Sequence, residues 1–161
     1  MPLLRTTDLA PPLDGRQSAA ALRIRRGVAR LLRALNFAVV PEMVLSSGRR
    51  ADLVALGGAG EIWIVEIKSS LADLRADQKW PSYKSACDRL YFATFPDLED
   101  AFPADEGLIL TDGFDADFVR EAPLLRLSAP ARRAMIMRIA QTAARRLHEL
   151  EDPDPRIAAP V

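Results

Sequence analysis

Residues 51–68 constrain the fold more than any other stretch of this 161-residue chain. Two β-prone runs, 52–56 and 61–68, flank Gly57-Gly58-Ala59-Gly60. That is the pattern of a β-hairpin. The second run is strongly apolar through Ile62-Trp63-Ile64-Val65 and then ends in Glu66-Ile67-Lys68. Side chains alternate along a strand, so Glu66 and Lys68 share a face with Ile62 and Ile64. Two charges that finish a buried face are costly unless they are paired or put to use. The hairpin register decides what stands opposite them. If the loop is Gly58-Ala59-Gly60, with Gly60 as the left-handed residue of a bulge, Gly57 faces Glu61 and Asp52 faces Glu66. A longer loop without a bulge puts Asp52 opposite Val65, on the other face. The sequence leaves both registers open.

The flanking segments supply helices and further strands. A helix is expected over 18–36, with Ile24, Val28, Leu31 and Leu35 as its core stripe and Asn36 as its stop. A strand follows over 37–45, and Pro41 confines it to a sheet edge or a bulge. Ser70 with Asp73 has capping-box spacing for a helix that runs to Lys79, and Pro81 interrupts it or opens a second one. Residues 89–94 and 107–110 read as strands, and 97–117 as acidic loop. A last helix over 129–150 carries Ile136, Ile139, Ala140, Ala143 and Leu147 on one face. The order α-β-β-β-α-β-β-α implies an α/β fold, a mixed sheet with helices on both sides. Prolines 2, 11 and 12, and 153, 155 and 160, suggest flexible tails at 1–15 and 151–161 around one domain of 16–150.

Composition narrows the function classes. Hydrophobic residues at 49% and charged residues at 27% suit a globular core. Lys+Arg and Asp+Glu are 22 each, so net charge gives no vote for nucleic acid. A single Cys cannot form an internal disulfide, and a single His excludes a site built on several histidines of this chain. No apolar run approaches the ~20 residues of a membrane span. The opening MPLLRTTDLA has no apolar core of a secretory signal, so the expected location is cytoplasmic.

In the first hairpin register Asp52, Glu66 and Lys68 converge. Two carboxylates can hold a hard cation such as Mg²⁺ or Mn²⁺, and the backbone carbonyl of Ile67 between them can complete the ligand set. Such a cation lowers the pKa of a bound water and offsets charge on a phosphodiester, while a nearby lysine orients the water and stabilises the phosphoryl oxygens. A serine-hydrolase reading fails: the only histidine is His148, late in the last helix, and no G-x-S-x-G is present. Cys87 also lacks a histidine partner, which leaves it to core packing.

Asp52 followed by Glu66-Ile67-Lys68 resembles the D…(D/E)-x-K signature of the PD-(D/E)XK nuclease superfamily. The longer series Gly48-Arg49-Arg50-Ala51-Asp52, Ile64-Val65-Glu66-Ile67-Lys68-Ser69-Ser70, Ala72-Asp73, Asp77-x-Lys79-Trp80-Pro81-x-Tyr83 and Cys87-Asp88-Arg89-Leu90-Tyr91-Phe92-Ala93 is similar to the MmcB family of proposed DNA-repair endonucleases. The resemblance implies a restriction-endonuclease-like core, DNA as substrate, a divalent cation, a role in repair and association with the nucleoid. It casts Asp52 and Glu66 as metal ligands and Lys68 as the catalytic lysine. Dimers are common among such nucleases, which makes a homodimer one expected assembly. Two departures stand out. Many members carry an acid on the first helix, and this one has none; Glu42 is either its substitute or a surface residue near a kinked edge. Many also carry Q-x-x-x-Y after the lysine, whereas Gln78 and Tyr83 lie one residue too far apart, so Lys79 and Tyr83 are candidates only for the wall of the site.

Charge distribution adds a candidate DNA surface. Arginines 16, 23, 25, 26, 30, 33, 49 and 50 stand against a single acid, Glu42. Arg23, Arg26, Arg30 and Arg33 line one side of the first helix, which suits phosphate contacts or a solvated helix face. Arg49 and Arg50, just before Asp52, are the better placed pair. Nine acids between Asp97 and Glu121 would repel DNA. They leave two further readings beside the nuclease: a nuclease-fold module that binds DNA without cutting it, and a subunit whose acidic block engages a repair partner protein.

Overall fold

The computed structural model describes residues 18–153. Nine elements follow one another: α1 (Ala19–Ala34), β1 (Ala38–Val44), β2 (Arg50–Leu56), β3 (Ile62–Ile67), α2 (Leu71–Ala76), β4 (Arg89–Thr94), β5 (Gly107–Thr111), β6 (Ala116–Arg120) and α3 (Ala129–Glu151). Two 3₁₀ segments, Trp80–Ala86 and Pro96–Ala101, lie on either side of β4. The strands form one sheet in chain order. β3–β4 and β4–β5 are parallel, and the outer pairs are antiparallel. The expected mixed α/β sheet is therefore present. The tails expected at 1–15 and 151–161 fall outside the described residues, except for 151–153, where Glu151 closes α3.

Helices cover both faces. Ile24, Val28 and Leu32 of α1 pack on Leu53, Ala55, Val65, Tyr91 and Ile109. Met135 and Ile139 of α3 join Tyr83 and Cys87 against Val54, Ile62, Ile64 and Leu90 on the other face. β3 is thus buried on both sides, which explains why it reads as an almost unbroken apolar run. Gly27 admits the close approach of α1: a Cβ there would lie 2.1 Å from Thr111 Oγ1. Asn36 ends α1 in the left-handed conformation (φ 63°), as a helix stop requires. The helix breaks before Leu35, which is exposed rather than part of the stripe.

Several elements differ from the sequence reading. α2 closes at Ala76 instead of reaching Lys79; Pro81 does open a separate, 3₁₀, segment at its first turn, one of the two expected outcomes. β6 is unexpected: it starts in the last two residues of the expected acidic loop, 97–117, and runs three residues beyond it. It is a five-residue edge strand whose Asp117 and Val119 face solvent. The packed face of α3 also differs: Met135 and Ile139 are buried, whereas Leu147 is 56% exposed. Arginines extend that face. Arg132 reaches Asp88 and the Gly60 carbonyl, and Arg146 donates to the Pro41 and Glu42 carbonyls.

The hairpin resolves in favour of the bulged register. Gly60 has φ 88°, its N–H donates to the Gly57 carbonyl at 3.0 Å, and Gly57 N–H donates to the Glu61 carbonyl at 2.9 Å. The ladder then runs Leu56↔Ile62, Ala55↔Trp63, Val54↔Ile64 and Leu53↔Val65. One step further sets Asp52 against Glu66.

Candidate metal and nucleic-acid site

The regular β2–β3 ladder ends at Leu53↔Val65, and beyond it side chains make the cross-strand bonds. Asp52 N–H donates to Glu66 Oε1 at 3.2 Å, and Ile67 N–H donates to Asp52 Oδ2 at 2.8 Å. Each carboxylate is thereby held by the backbone of the other strand. Glu66 is 3% exposed. Burial, and then the neighbouring Asp52 charge, push its carboxyl up to about 8. Burial raises Asp52 as well, against the opposing pull of the Ile67 N–H and Lys68. The two acids share a desolvated site in which full ionisation is costly until a positive charge arrives.

Lys68 follows β3 and is also nearly buried. Its Nζ lies 2.6 Å from Asp77 Oδ2. Burial works to lower the lysine pKa, but the hydrogen bond and charge of Asp77, with Glu66 and Asp52 behind them, outweigh it and hold the pKa above its ordinary value. Lys68 is therefore an ammonium at neutral pH, suited to donating hydrogen bonds rather than to taking a proton. Ordinary sequence rules give Asp77 no such role. It stands among the quoted motif residues, but its partner lies nine positions back on another element.

Arg50, Asp52, Glu66, Lys68, Ser69 and Ser70 line one cleft of about 450 Å³, closed on another side by Ser18 and Ala21 of α1. Ser18 caps α1, and its Oγ lies 3.4 Å from Ser69 Oγ. The first turn of α1 contains no acid, and its positive N-terminal end closes one side of the cleft, which Asp73 also lines. Ile67 is also in the lining. This donor set fits an oxygen-seeking cation: Asp52 and Glu66 would hold it, and water and substrate oxygens would fill the remaining positions, as is usual for Mg²⁺. Among the described residues, no three His, Cys, Asp or Glu side chains gather into a metal-binding group.

Glu42 is accordingly not brought in as a third ligand. It sits at φ 49°, in the left-handed region, and its pairing with Asp52 is missing from the β1–β2 ladder. Its carboxylate lies 3.6 Å from Arg50 and does not line the cleft. Tyr83 is buried, and its hydroxyl donates to the Arg50 carbonyl at 3.0 Å, so it braces the wall from behind. Arg49 reaches the exposed Lys79 through its carbonyl at 3.3 Å. Arg23 and Arg26 donate to the Asp112 and Gly113 carbonyls. Arg23 also lies over Phe95, and Arg26 and Arg30 lie over Phe114. That stripe joins α1 to the β5–β6 turn. Trp80 packs edge-on against Phe92.

A family model described as "DNA repair protein MmcB-like" matches residues 9–154, which include every residue of the cleft. The chain belongs to the MmcB-like DNA repair protein family. This MmcB-like protein accordingly has a role in DNA repair. It is also similar to the solved structure of the SPO1766 protein of unknown function from Silicibacter pomeroyi. The two are 43% identical with a TM-score of 0.81, over 86% of this chain and 96% of that one. No functionally curated protein matches the chain. Among the described residues, no helix is long and apolar enough to cross a membrane.

Proposed function

We propose that this MmcB-like protein is a divalent-metal-dependent DNA endonuclease with a restriction-endonuclease-like core. One observation carries the reading: two carboxylates opposed across the β2–β3 pair, and a lysine two residues beyond one of them, line a single polar cleft. A bound Mg²⁺ or Mn²⁺ would supply the Lewis acidity that activates water and offsets phosphodiester charge. Asp52 and Glu66 hold that charge in place. Lys68 donates to the attacking water or to the phosphoryl oxygens as negative charge builds on them. Arg50, the Ser69 and Ser70 hydroxyls and the α1 N-terminus bind and orient the phosphate. Arg49 and Lys79 extend the positive rim toward the flanking backbone, and association with the nucleoid follows from such contacts.

The test is incubation of the purified protein with duplex, single-stranded, branched and mismatched DNA in Mg²⁺, Mn²⁺ or EDTA, beside Lys68→Ala. Cleavage is expected with metal alone. Lys68→Ala should lose about 10²–10³-fold in rate, the usual cost of one charge-stabilising donor, and still bind DNA. Cleavage that persists undiminished in the variant, with contaminating nucleases excluded, overturns the assignment. Among the described residues no third acid clusters with Asp52 and Glu66 as a metal-binding group, which favours one other reading, a DNA-binding module without turnover. That reading expects salt-sensitive binding and no product with any metal.

A further inference from the structure

We infer that Asp77 is the positioning residue of this site: it draws the Lys68 ammonium away from Asp52 and Glu66 and so keeps both carboxylates available to a divalent cation. The inference rests on the nuclease reading of the cleft and adds a residue to it. Lys68 lies two positions beyond Glu66 and lines the same cleft. A nearly buried ammonium beside two desolvated carboxylates should pair with them unless a better acceptor is at hand. Asp77 provides one. Its Oδ2 is 2.6 Å from Lys68 Nζ, while its Oδ1 accepts the Lys79 N–H at 2.9 Å. The carboxylate is thus oriented by its own loop, just past the end of α2. The inner acids are held differently, Glu66 by the Asp52 N–H and Asp52 by the Ile67 N–H. Backbone fixes the two inner acids, and the third acid fixes the amine. Without Asp77, Lys68 would fall back on Glu66 and form an internal ion pair that competes with a cation for the same oxygens.

A double-mutant cycle on Mn²⁺ affinity, read by titration calorimetry on the full chain, tests this. In the presence of Lys68, Asp77→Ala should weaken Mn²⁺ binding about tenfold, in the range typical of residues that orient metal ligands. In a Lys68→Ala background the same change should cost less than about twofold, because the competing amine is gone and only the through-space charge is lost. Asp77→Asn keeps a carbonyl acceptor for Nζ and should fall between; it replaces Asp77→Ala in the cycle if the alanine variant does not fold. Equal losses in both backgrounds, or no loss in either, overturn the role of Asp77 while leaving the nuclease reading intact. Failure of the unmodified protein to bind Mn²⁺ sinks the nuclease reading and this inference with it.

Discussion

Two groups of acid, Asp88 on one side and Asp52 with Glu66 on the other, are treated in opposite ways. Asp88, just before β4, accepts four hydrogen bonds. Ile62 N–H and Arg132 Nη1 reach Oδ2 at 2.9 and 2.6 Å, and Leu127 N–H and Arg132 Nη2 reach Oδ1 at 2.9 and 2.7 Å. The Arg132 hydrogen bonds are the largest cause of a carboxyl pulled down to about 2. Asp52 and Glu66 each draw one backbone N–H from the facing strand, and both are pushed up. Asp88 joins β3, β4 and the lead into α3, so its charge is consumed by the fold. The charge on the other pair is left over. A buried charge whose hydrogen-bonding capacity is filled serves architecture, whereas one left underfilled beside an open cleft is poised for a ligand.

Exchanging the two losses gives the sharpest check. Glu66→Gln should cut cleavage by about 10³-fold, equivalent to several kcal/mol of transition-state stabilisation, and should not lower the melting temperature in EDTA. Arg132→Ala should do the reverse. Breaking its pair with the nearly buried Asp88 should cost about 3 kcal/mol in urea unfolding, while each folded molecule keeps its cleavage rate. Glu66→Gln destabilising the protein as much as Arg132→Ala would erase the distinction.

A smaller effect separates the two groups by pH. Glu66 has a folded pKa of about 8 against an ordinary 4.5. Its contribution to stability is fully present below pH 4.5 and is lost as pH rises through about 8. Asp88 runs the other way. With a folded pKa of about 2 against 3.8, it contributes stability above 3.8 that is lost as pH falls through 2. In EDTA, melting temperature should therefore decline from pH 5 to pH 8, and Glu66→Gln should flatten that slope while leaving the acid limb in place. Saturating Mn²⁺ should also flatten it, because binding of the cation takes the place of the proton on Glu66. An unchanged slope in Glu66→Gln would show that Glu66 is not the group responsible.

How much of this was legible in the sequence follows the same division. The site was readable in part: the glycines made a bulge at Gly60 one of two open registers, and within that register strand alternation carried Asp52 to Glu66. Asp77 was not, because a loop acid reaching a lysine on another element leaves no periodic trace. β6 escaped because five alternating residues inside an acidic stretch resemble a loop. The α3 face escaped because Arg132 and Arg146 continue its packed side. Arginine stems bury while their guanidinium groups bind carbonyls, and a hydropathy stripe counts them as solvent-facing. The same omission left the α1 arginines open between a DNA surface and a solvated helix face.

Those α1 arginines supply the smallest predicted effect. Arg23 and Arg26 spend guanidinium donors on the carbonyls of Asp112 and Gly113 and lie over Phe95 and Phe114, so their charge is already engaged within the fold. Lys79 is exposed two residues beyond Asp77, and its carbonyl accepts a hydrogen bond from Arg49. Each phosphate contact a cation makes contributes about one unit to the dependence of log affinity on log salt. Lys79→Ala should lower that slope by about one. Arg23→Ala with Arg26→Ala should leave it unchanged and instead loosen the β5–β6 turn, seen as faster amide exchange at Gly113 and Phe114. A fall in the salt slope on removing Arg23 and Arg26 would mean that charge engaged with backbone carbonyls still binds DNA, and the line drawn here between consumed and spare charge would have to be moved outward to α1.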